Sequence, residues 1–342
     1  MKASIFQHHG GPEVLEYAEV PEPQMQANEV LVEIKACSLN HLDIFARNGL
    51  PGIEIPLPHI LGNDIAGVVK GVGSLVTWVK SGDEVMIQPG VSCGHCHECL
   101  SGRDNLCREY DIIGYRRDGG YAQFVVVPAV NVFPKPPNLA WEDAAALPLV
   151  TVTAWHMLVS RANVQPGDDV LVHAAGSGVG SIAIQIARLR GARVIATASS
   201  DEKLAKARAL GADETVNYSS EEWPKEVRRL TARRGVDVVV EHTGSATWQG
   251  SISSLKNNGR LVTCGATSGY DAHTDLRQVF YRHLTILGSF MGSKAELLEA
   301  MKFVEAGKIR AVVDRVLPLS EARAAHELLE SRRQFGKVVL RP

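Results

Sequence analysis

The feature that most constrains this chain is a change of rhythm between about Thr151 and Gly288, where short apolar runs alternate with longer helical patterns. The runs are Val170-Leu171-Val172, Val194-Ile195-Ala196, Val236 to Val240, Leu261-Val262-Thr263 and Leu284-Thr285-Ile286-Leu287. Between the first two, Ile182, Ile186 and Leu189 recur at i, i+4 and i+7, which puts three apolar side chains on one helix face; Gly191 follows as a left-handed stop. Strands that are apolar throughout and separated by helices must be covered on both faces, so this stretch predicts a doubly wound, parallel α/β sheet.

The residues before it follow another pattern. From Met1 to about Pro128, alternating segments such as Val30-Leu31-Val32-Glu33-Ile34-Lys35 are separated by Pro, Gly and Asp turns, which reads as β-rich. After Gly288 come a helix at about Lys294 to Ala306, another at about Glu321 to Ser331 and a last strand, Lys337 to Leu340, a tail expected to return to the first domain. The 342 residues therefore predict two domains: a β-rich one from 1–150 and 289–342, and an α/β one at 151–288.

Composition narrows the partners. With 45% hydrophobic and 22% charged residues the chain should fold, and a net charge of −2 offers no broad basic face for nucleic acid. A small-molecule substrate is expected instead. No apolar run approaches the ~20 residues of a membrane span. The opening Met-Lys-Ala-Ser-Ile-Phe-Gln-His-His-Gly-Gly breaks into polar residues and glycines too early for a signal peptide, so a cytoplasmic setting is expected.

Four of the six cysteines fall in one pattern, Cys93-x2-Cys96-x2-Cys99-x7-Cys107. Such spacing lets neighbouring thiolates reach one metal at the ~2.3 Å of a Zn–S bond, and four sulfurs fill a tetrahedral zinc with no place left for water or substrate. The lobe at 93–107 therefore predicts a structural zinc; free or disulfide-linked cysteines and an iron–sulfur cluster are the alternatives. His95 and His97 lie inside the loop and read as fillers.

Asp169 to Val172 leads into His173-Ala174-Ala175-Gly176-Ser177-Gly178-Val179-Gly180, a strand, a turn of small residues and a helix start. Ala175, Ser177 and Gly180 stand where a G-x-G-x-x-G pattern has its glycines, with Gly176 and Gly178 between them. Small residues let backbone approach a pyrophosphate, and the helix N-terminus supplies free N–H groups. Residues Ala175, Gly176, Ser177, Gly178, Val179 and Gly180 are thus the expected dinucleotide cradle of a Rossmann-type sheet. After the next strand, Thr197-Ala198-Ser199-Ser200 carries no acid for a ribose 2′-hydroxyl; hydroxyls and Lys203 suit a 2′-phosphate, hence NADPH over NAD. Lys203 solvating its own helix is the rival reading.

These features, with Gly62-Asn63-Asp64-Ile65-Ala66-Gly67-Val68-Val69, Gly82-Asp83-Glu84-Val85, Ala145-Ala146-Leu147-Pro148-Leu149, Thr153-Ala154-Trp155 and Gly211-Ala212-Asp213 before Val216-Asn217-Tyr218, resemble the medium-chain dehydrogenase/reductase superfamily over nearly the whole chain. The resemblance implies a GroES-like fold for the β-rich domain, one structural zinc per chain at Cys93, Cys96, Cys99 and Cys107, and a homodimer or homotetramer, commonly paired through the strand at about Leu284 to Phe290. Zinc alcohol dehydrogenases of this superfamily hold a catalytic zinc with Cys, His and Cys. Here Asn40, Asn63 and Leu149 stand at those three positions, so no catalytic zinc is expected; a displaced site of Cys37, His41, His59 and Asp64 is the alternative. The substitutions resemble the quinone oxidoreductase branch, where the residues matching Ser199, Lys203 and Tyr218 hold the NADPH 2′-phosphate. The cysteine lobe departs from many quinone reductases and resembles a zinc-type alcohol dehydrogenase-like subgroup, and Phe45 replaces a tyrosine found in some.

The expected chemistry is hydride transfer from NADPH to a quinone or to the β-carbon of an α,β-unsaturated carbonyl. Candidate catalytic residues are Asn40 as a donor to the developing oxyanion, His41 as a general acid or else a structural histidine, and Thr153 of the shared motif. Gly265, Ala266, Phe290 and Met291 lie at strand ends suited to the nicotinamide of a cofactor reaching the cleft between the domains, and Lys337 to its phosphates. The competing expectations are an alcohol dehydrogenase acting on alcohols or aldehydes through an atypical metal site, and a non-enzymatic NADPH-binding protein.

Overall fold

The apolar runs line up as one six-stranded sheet in the computed structural model, which describes residues 1–342. Its order is Glu214–Asn217, Arg193–Ala198, Asp169–Val172, Val236–Glu241, Leu255–Thr263, Thr285–Gly288, with every neighbour parallel. The first strand in sequence sits centrally, with Leu171 opposite Ile195 on one side and Val239 on the other. Chain order therefore reverses between Asp169–Val172 and Val236–Glu241, the position where doubly wound sheets bind ligands. Leu171, Ile195, Val216, Val239 and Leu261 form the core of one face. Strand Glu214–Asn217 was not among the expected runs because it brings a single fully buried residue, Val216, to that core.

This unit comprises Val150–Gly292 and Glu299–Ile309. The latter segment corrects the expected return of everything after 289 to the β-rich domain. Phe303 packs its ring on Trp155 at 5.4 Å, and the Ser289 N–H extends the sheet by bonding Thr263 O at 2.8 Å, so both stretches stay with the α/β unit.

The other unit, Met1–Leu149, Ser293–Leu298 and Arg310–Pro342, is built on a mostly antiparallel sheet. Its long strand Glu29–Ser38 turns Val30, Val32 and Ile34 inward on alternate positions, as its period-two pattern requires. That strand pairs with Asp64–Val72, Phe124–Pro128 and the C-terminal Lys337–Arg341. Two registers matter for the site: Ser38 faces Asp64, and Val339 faces Ser38, so the start of the last strand comes to the end of the other two. Strand Val313–Pro318, also absent from the sequence expectation, is a largely solvated edge parallel to the last strand.

A buried polar chain crosses this unit. Arg47 Nη1 lies 2.8 Å from His326 Nδ1, and His326 Nε2 lies 3.2 Å from the Tyr121 hydroxyl. A guanidinium only donates, so Nδ1 accepts, Nε2 carries the ring proton, and the Tyr121 O–H is left to donate to the Asp43 carboxylate. Gly62 borders this chain at φ +104, where a Cβ would meet the Tyr121 ring at 2.6 Å and Cys37 Sγ at 2.7 Å; no side chain fits there. Burial, and then the Arg47 charge, push the His326 imidazole down to about 3. The unfolded chain takes up this proton near pH 6.5 and the folded one only near 3, so the unfolded state binds more protons between these values. The stability gained from a neutral His326 is complete above pH 6.5 and declines as pH falls through that window. His326→Gln, which can accept from Arg47 and donate to Tyr121, should flatten the acid-side decline of unfolding free energy by up to about 1.4 kcal/mol per pH unit in denaturant titrations.

Candidate functional site

At the strand ends brought together by the register, Asp64 is the hub. Its Oδ1 accepts the Leu149 N–H at 2.7 Å; its Oδ2 accepts Asn40 Nδ2 at 2.9 Å, Lys337 Nζ at 3.0 Å and the Ser38 hydroxyl at 3.3 Å. Lys337 Nζ also donates to Asn40 Oδ1 at 2.5 Å. Two of the three positions that the resemblance matches to catalytic-zinc ligands, Asn40 and Leu149, thus meet through this carboxylate. The third, Asn63, donates its Nδ2 to Ile113 O at 2.7 Å and keeps a buried Oδ1 without a partner.

Asn40 caps the helix His41–Asn48 with its backbone N–H on Asp43 Oδ2 at 2.7 Å, the reciprocal half of a capping box. Its side chain is turned away, toward Lys337 and Asp64. Asp43 Oδ1 accepts the Gly62 N–H at 3.0 Å; burial lifts this carboxyl to about 7 against the pull of those two backbone donors. His41 stands at the first helical position with its ring 6.5 Å from that of Phe45. The residues weighed for a displaced metal site go separate ways. Asp64 is engaged as described, His59 faces Asp118 at 3.5 Å, and burial drives the Cys37 thiol well above its usual range. Lys337, expected near cofactor phosphates, lies buried in the Asp64 cluster.

The four sulfurs of Cys93, Cys96, Cys99 and Cys107 all lie within 4.8 Å of one another. Cys93 and Cys99 are 3.9 Å apart and Cys96 and Cys99 3.5 Å, close to the ~3.8 Å edge of a tetrahedron with 2.3 Å bonds, so the set fits a structural zinc. Lys294 fastens the lobe from outside: its Nζ donates to Asp104 at 3.0 Å and Gly90 O at 2.9 Å. His95 and Glu109 also approach Cys93, but the four thiols form the closed set.

In the α/β unit, the turn after Asp169–Val172 passes through Ala174 at φ +44, and Ser177 caps the helix Gly178–Leu189 by accepting the Gly180 N–H at 2.8 Å. The N–H groups of Gly178 and Val179 then open the helix without an intrahelical acceptor, as an anion site requires. A Cβ on Gly180 would lie 2.4 Å from Ala174 O, so the third glycine of the fingerprint is needed for the helix to approach the turn. This cradle fits a dinucleotide pyrophosphate. Beneath it sits a network the sequence reading did not find. His173 Nε2 bonds Ser251 Oγ at 3.0 Å, Ser251 Oγ donates to Glu241 at 2.6 Å, and Glu241 accepts the Thr243 and Gly244 N–H groups at 2.7 and 3.1 Å. Burial lowers His173 to about 4, which keeps the imidazole neutral. The available signal was a His and a Glu-His pair directly following two apolar strands.

Ser199 follows the strand Arg193–Ala198, Ser200 caps the helix Asp201–Ala209 that carries Lys203, and Tyr218 follows Glu214–Asn217 half-exposed. Neighbouring strands thus end with these residues together at the sheet's C-terminal edge. Gly265 and Ala266 follow Leu255–Thr263, and at Gly265 a Cβ would meet only His242 O, at 3.6 Å. Phe290 is exposed, whereas Met291 turns into the interior at φ +52, so the two expected nicotinamide contacts have opposite surroundings. Thr153 lies in the helix Pro148–Trp155 with a buried, unpartnered hydroxyl.

Residues 26–137 match the family model described as "Alcohol dehydrogenase GroES-like domain", and residues 178–306 the one described as "Zinc-binding dehydrogenase". A zinc-type alcohol dehydrogenase-like protein of Schizosaccharomyces pombe is 34% identical over 94% of this chain and 93% of its own length. Crotonyl-CoA reductase of Streptomyces collinus is 33% identical over 94% of this chain and 80% of its own. A crystal structure described as an NAD-dependent alcohol dehydrogenase superposes with a TM-score of 0.97 at 55% identity, covering 100% of both chains. The chain belongs to the medium-chain dehydrogenase/reductase superfamily. It is an NAD(P)H-dependent oxidoreductase acting on a small molecule. No helix is long and apolar enough to cross a membrane.

Two outcomes follow from this geometry. Gly180→Val should abolish detectable dinucleotide binding in fluorescence titrations while zinc content holds. Cys107→Ser should strip most zinc from the purified chain by elemental analysis and lower Tm by at least about 5 °C, since a structural zinc contributes folding free energy directly.

Proposed function

We propose that this enzyme transfers hydride from NADPH to a quinone or to the β-carbon of an α,β-unsaturated carbonyl without a catalytic zinc. The observation that carries the reading is the Asn40, Asn63 and Leu149 set. Two amides and an isobutyl group supply neither thiolate nor imidazole, and the neighbouring carboxylate, Asp64, is paired with an ammonium. The crotonyl-CoA reductase relative adds weight to an enone as acceptor.

Bound NADPH supplies the hydride. As the substrate's β-carbon gains it, the C=C pair shifts toward the carbonyl, charge grows on oxygen, and the α-carbon then takes a proton from solvent. Asn40 would donate its amide to that oxygen. His41 and Thr153 are the further candidates, His41 at the helix start beside Asn40 and Thr153 through its unpartnered hydroxyl. Ser199, Lys203 and Tyr218 would hold the 2′-phosphate, the cradle at Ala175 to Gly180 the pyrophosphate, and Gly265, Ala266, Phe290 and Met291 the nicotinamide end. Four free thiols in one lobe suit a cytoplasmic setting and one structural zinc per chain. The largely exposed edge strand Thr285–Gly288 suits pairing into a homodimer or homotetramer.

A second reading, alcohol oxidation with NAD and a metal, is favoured by the described activity of the 55% identical structure. The two are separated by steady-state assays with metal analysis. The proposed reading expects one zinc per chain, enone- or quinone-dependent NADPH oxidation that survives a mild chelator, and a kcat/KM for NADPH about tenfold or more above NADH that Lys203→Ala erases. Chelator-sensitive alcohol oxidation with NAD and two zincs per chain would instead establish the second.

A further inference from the structure

We infer that Lys337 is a positioning residue that fixes the direction of the Asn40 amide, so that the Nδ2 proton not used by Asp64 is the one offered to the substrate oxygen. This deepens the hydride-to-enone or quinone reading and rests on it.

The two ends of a primary amide are nearly alike in shape and opposite in hydrogen-bonding role, so its orientation is set by what it faces. One end of Asn40 lies 2.5 Å from the Lys337 ammonium, which only donates; that end must be the oxygen. The other lies 2.9 Å from the Asp64 carboxylate, which only accepts; that end must be the nitrogen. A flipped amide would set donor against ammonium and acceptor against carboxylate at once. Both charges therefore hold one orientation.

The same arrangement leaves one donor over. Nδ2 carries two protons and Asp64 Oδ2 takes one of them. Relative exposure rises from 0% at Asp64 through 4% at Lys337 to 7% at Asn40, so Asn40 is the least buried of these three residues. An ammonium on the carbonyl end draws electron density from the amide and strengthens its N–H groups as donors. The groups of the cluster are pinned: the Asn40 N–H by Asp43, the Lys337 N–H by Val312 O at 2.7 Å, and the Asp64 carboxylate by the Leu149 N–H. Donors fixed before substrate arrives are what stabilises a developing oxyanion.

The test uses the full-length, zinc-loaded enzyme, with 2-cyclohexenone and 1,4-benzoquinone as probes and NADPH Kd measured separately by fluorescence. Lys337→Met should lower kcat about 100-fold with NADPH Kd within about twofold of wild type, and Lys337→Arg should regain at least about tenfold of that loss. Because Lys337 acts through Asn40, adding Lys337→Met to Asn40→Ala should cost no more than about threefold beyond Asn40→Ala alone. If Lys337→Met does not fold, Lys337→Gln carries the same cycle, with a loss between those of the Arg and Met variants. Additive losses overturn the inference, as does equal failure of the Arg and Met variants. A raised NADPH Kd with unchanged kcat would make Lys337 a phosphate ligand instead. With asparagine-selective 15N labelling, the side-chain resonances absent from Asn40→Ala should shift in Lys337→Met and return in Lys337→Arg. Unmoved resonances refute the positioning role. Wild-type enzyme inert toward both probes counts against the proposed reaction, while the resonances decide the orientation by themselves.

Discussion

Everything at the site depends on keeping a carboxylate and an ammonium together away from water. Moving either ion out of water costs several kcal/mol, and their attraction offsets this only when the remaining hydrogen-bonding capacity is filled. Asp64 meets that condition with donors from Leu149, Asn40, Ser38 and Lys337. Three strand ends and the start of a helix are consequently locked at one point, and Asn40 and Leu149 are both held by the one carboxylate.

The dinucleotide half solves a different problem. Its turn must bring backbone N–H groups close to an anion, which it does with Ala174 in the left-handed region and a glycine at 180 where any Cβ would collide with the turn. Directly underneath, Glu241 is buried yet accepts from two backbone N–H groups and two hydroxyls, so a negative charge is tolerated below the cradle. The neutral His173 spans between the first strand and the helix Ser245–Ser254 through Ser251.

Much of this was legible in the sequence. Continuous apolar runs marked five of the six parallel strands, and Gly191 does stop its helix at φ +80. Strands Glu214–Asn217 and Val313–Pro318 escaped because edge strands bury too little to show a pattern. Glu299–Ile309 escaped because its allegiance is set by a ring contact with Trp155. The cysteine lobe could be read from spacing and residue type, whereas the meaning of Asn40, Asn63 and Leu149 came only through the family resemblance. The Asp64–Lys337 pair could not: its members lie 273 positions apart, and only strand register brings them together. The Tyr121–His326–Arg47 chain was equally hidden, since each member taken singly looks like an ordinary polar residue.

That chain has a grammar. Arg47 can only give, His326 takes on one nitrogen and gives on the other, and Tyr121 takes from the ring and gives to Asp43. Reversing any one link leaves two lone pairs or two protons face to face in a dry interior. Positions 47, 121 and 326 are therefore bound by roles more than by residue types: a replacement that keeps the give-and-take, as glutamine would at 326, fits the old neighbours, and one that breaks it obliges them to change as well.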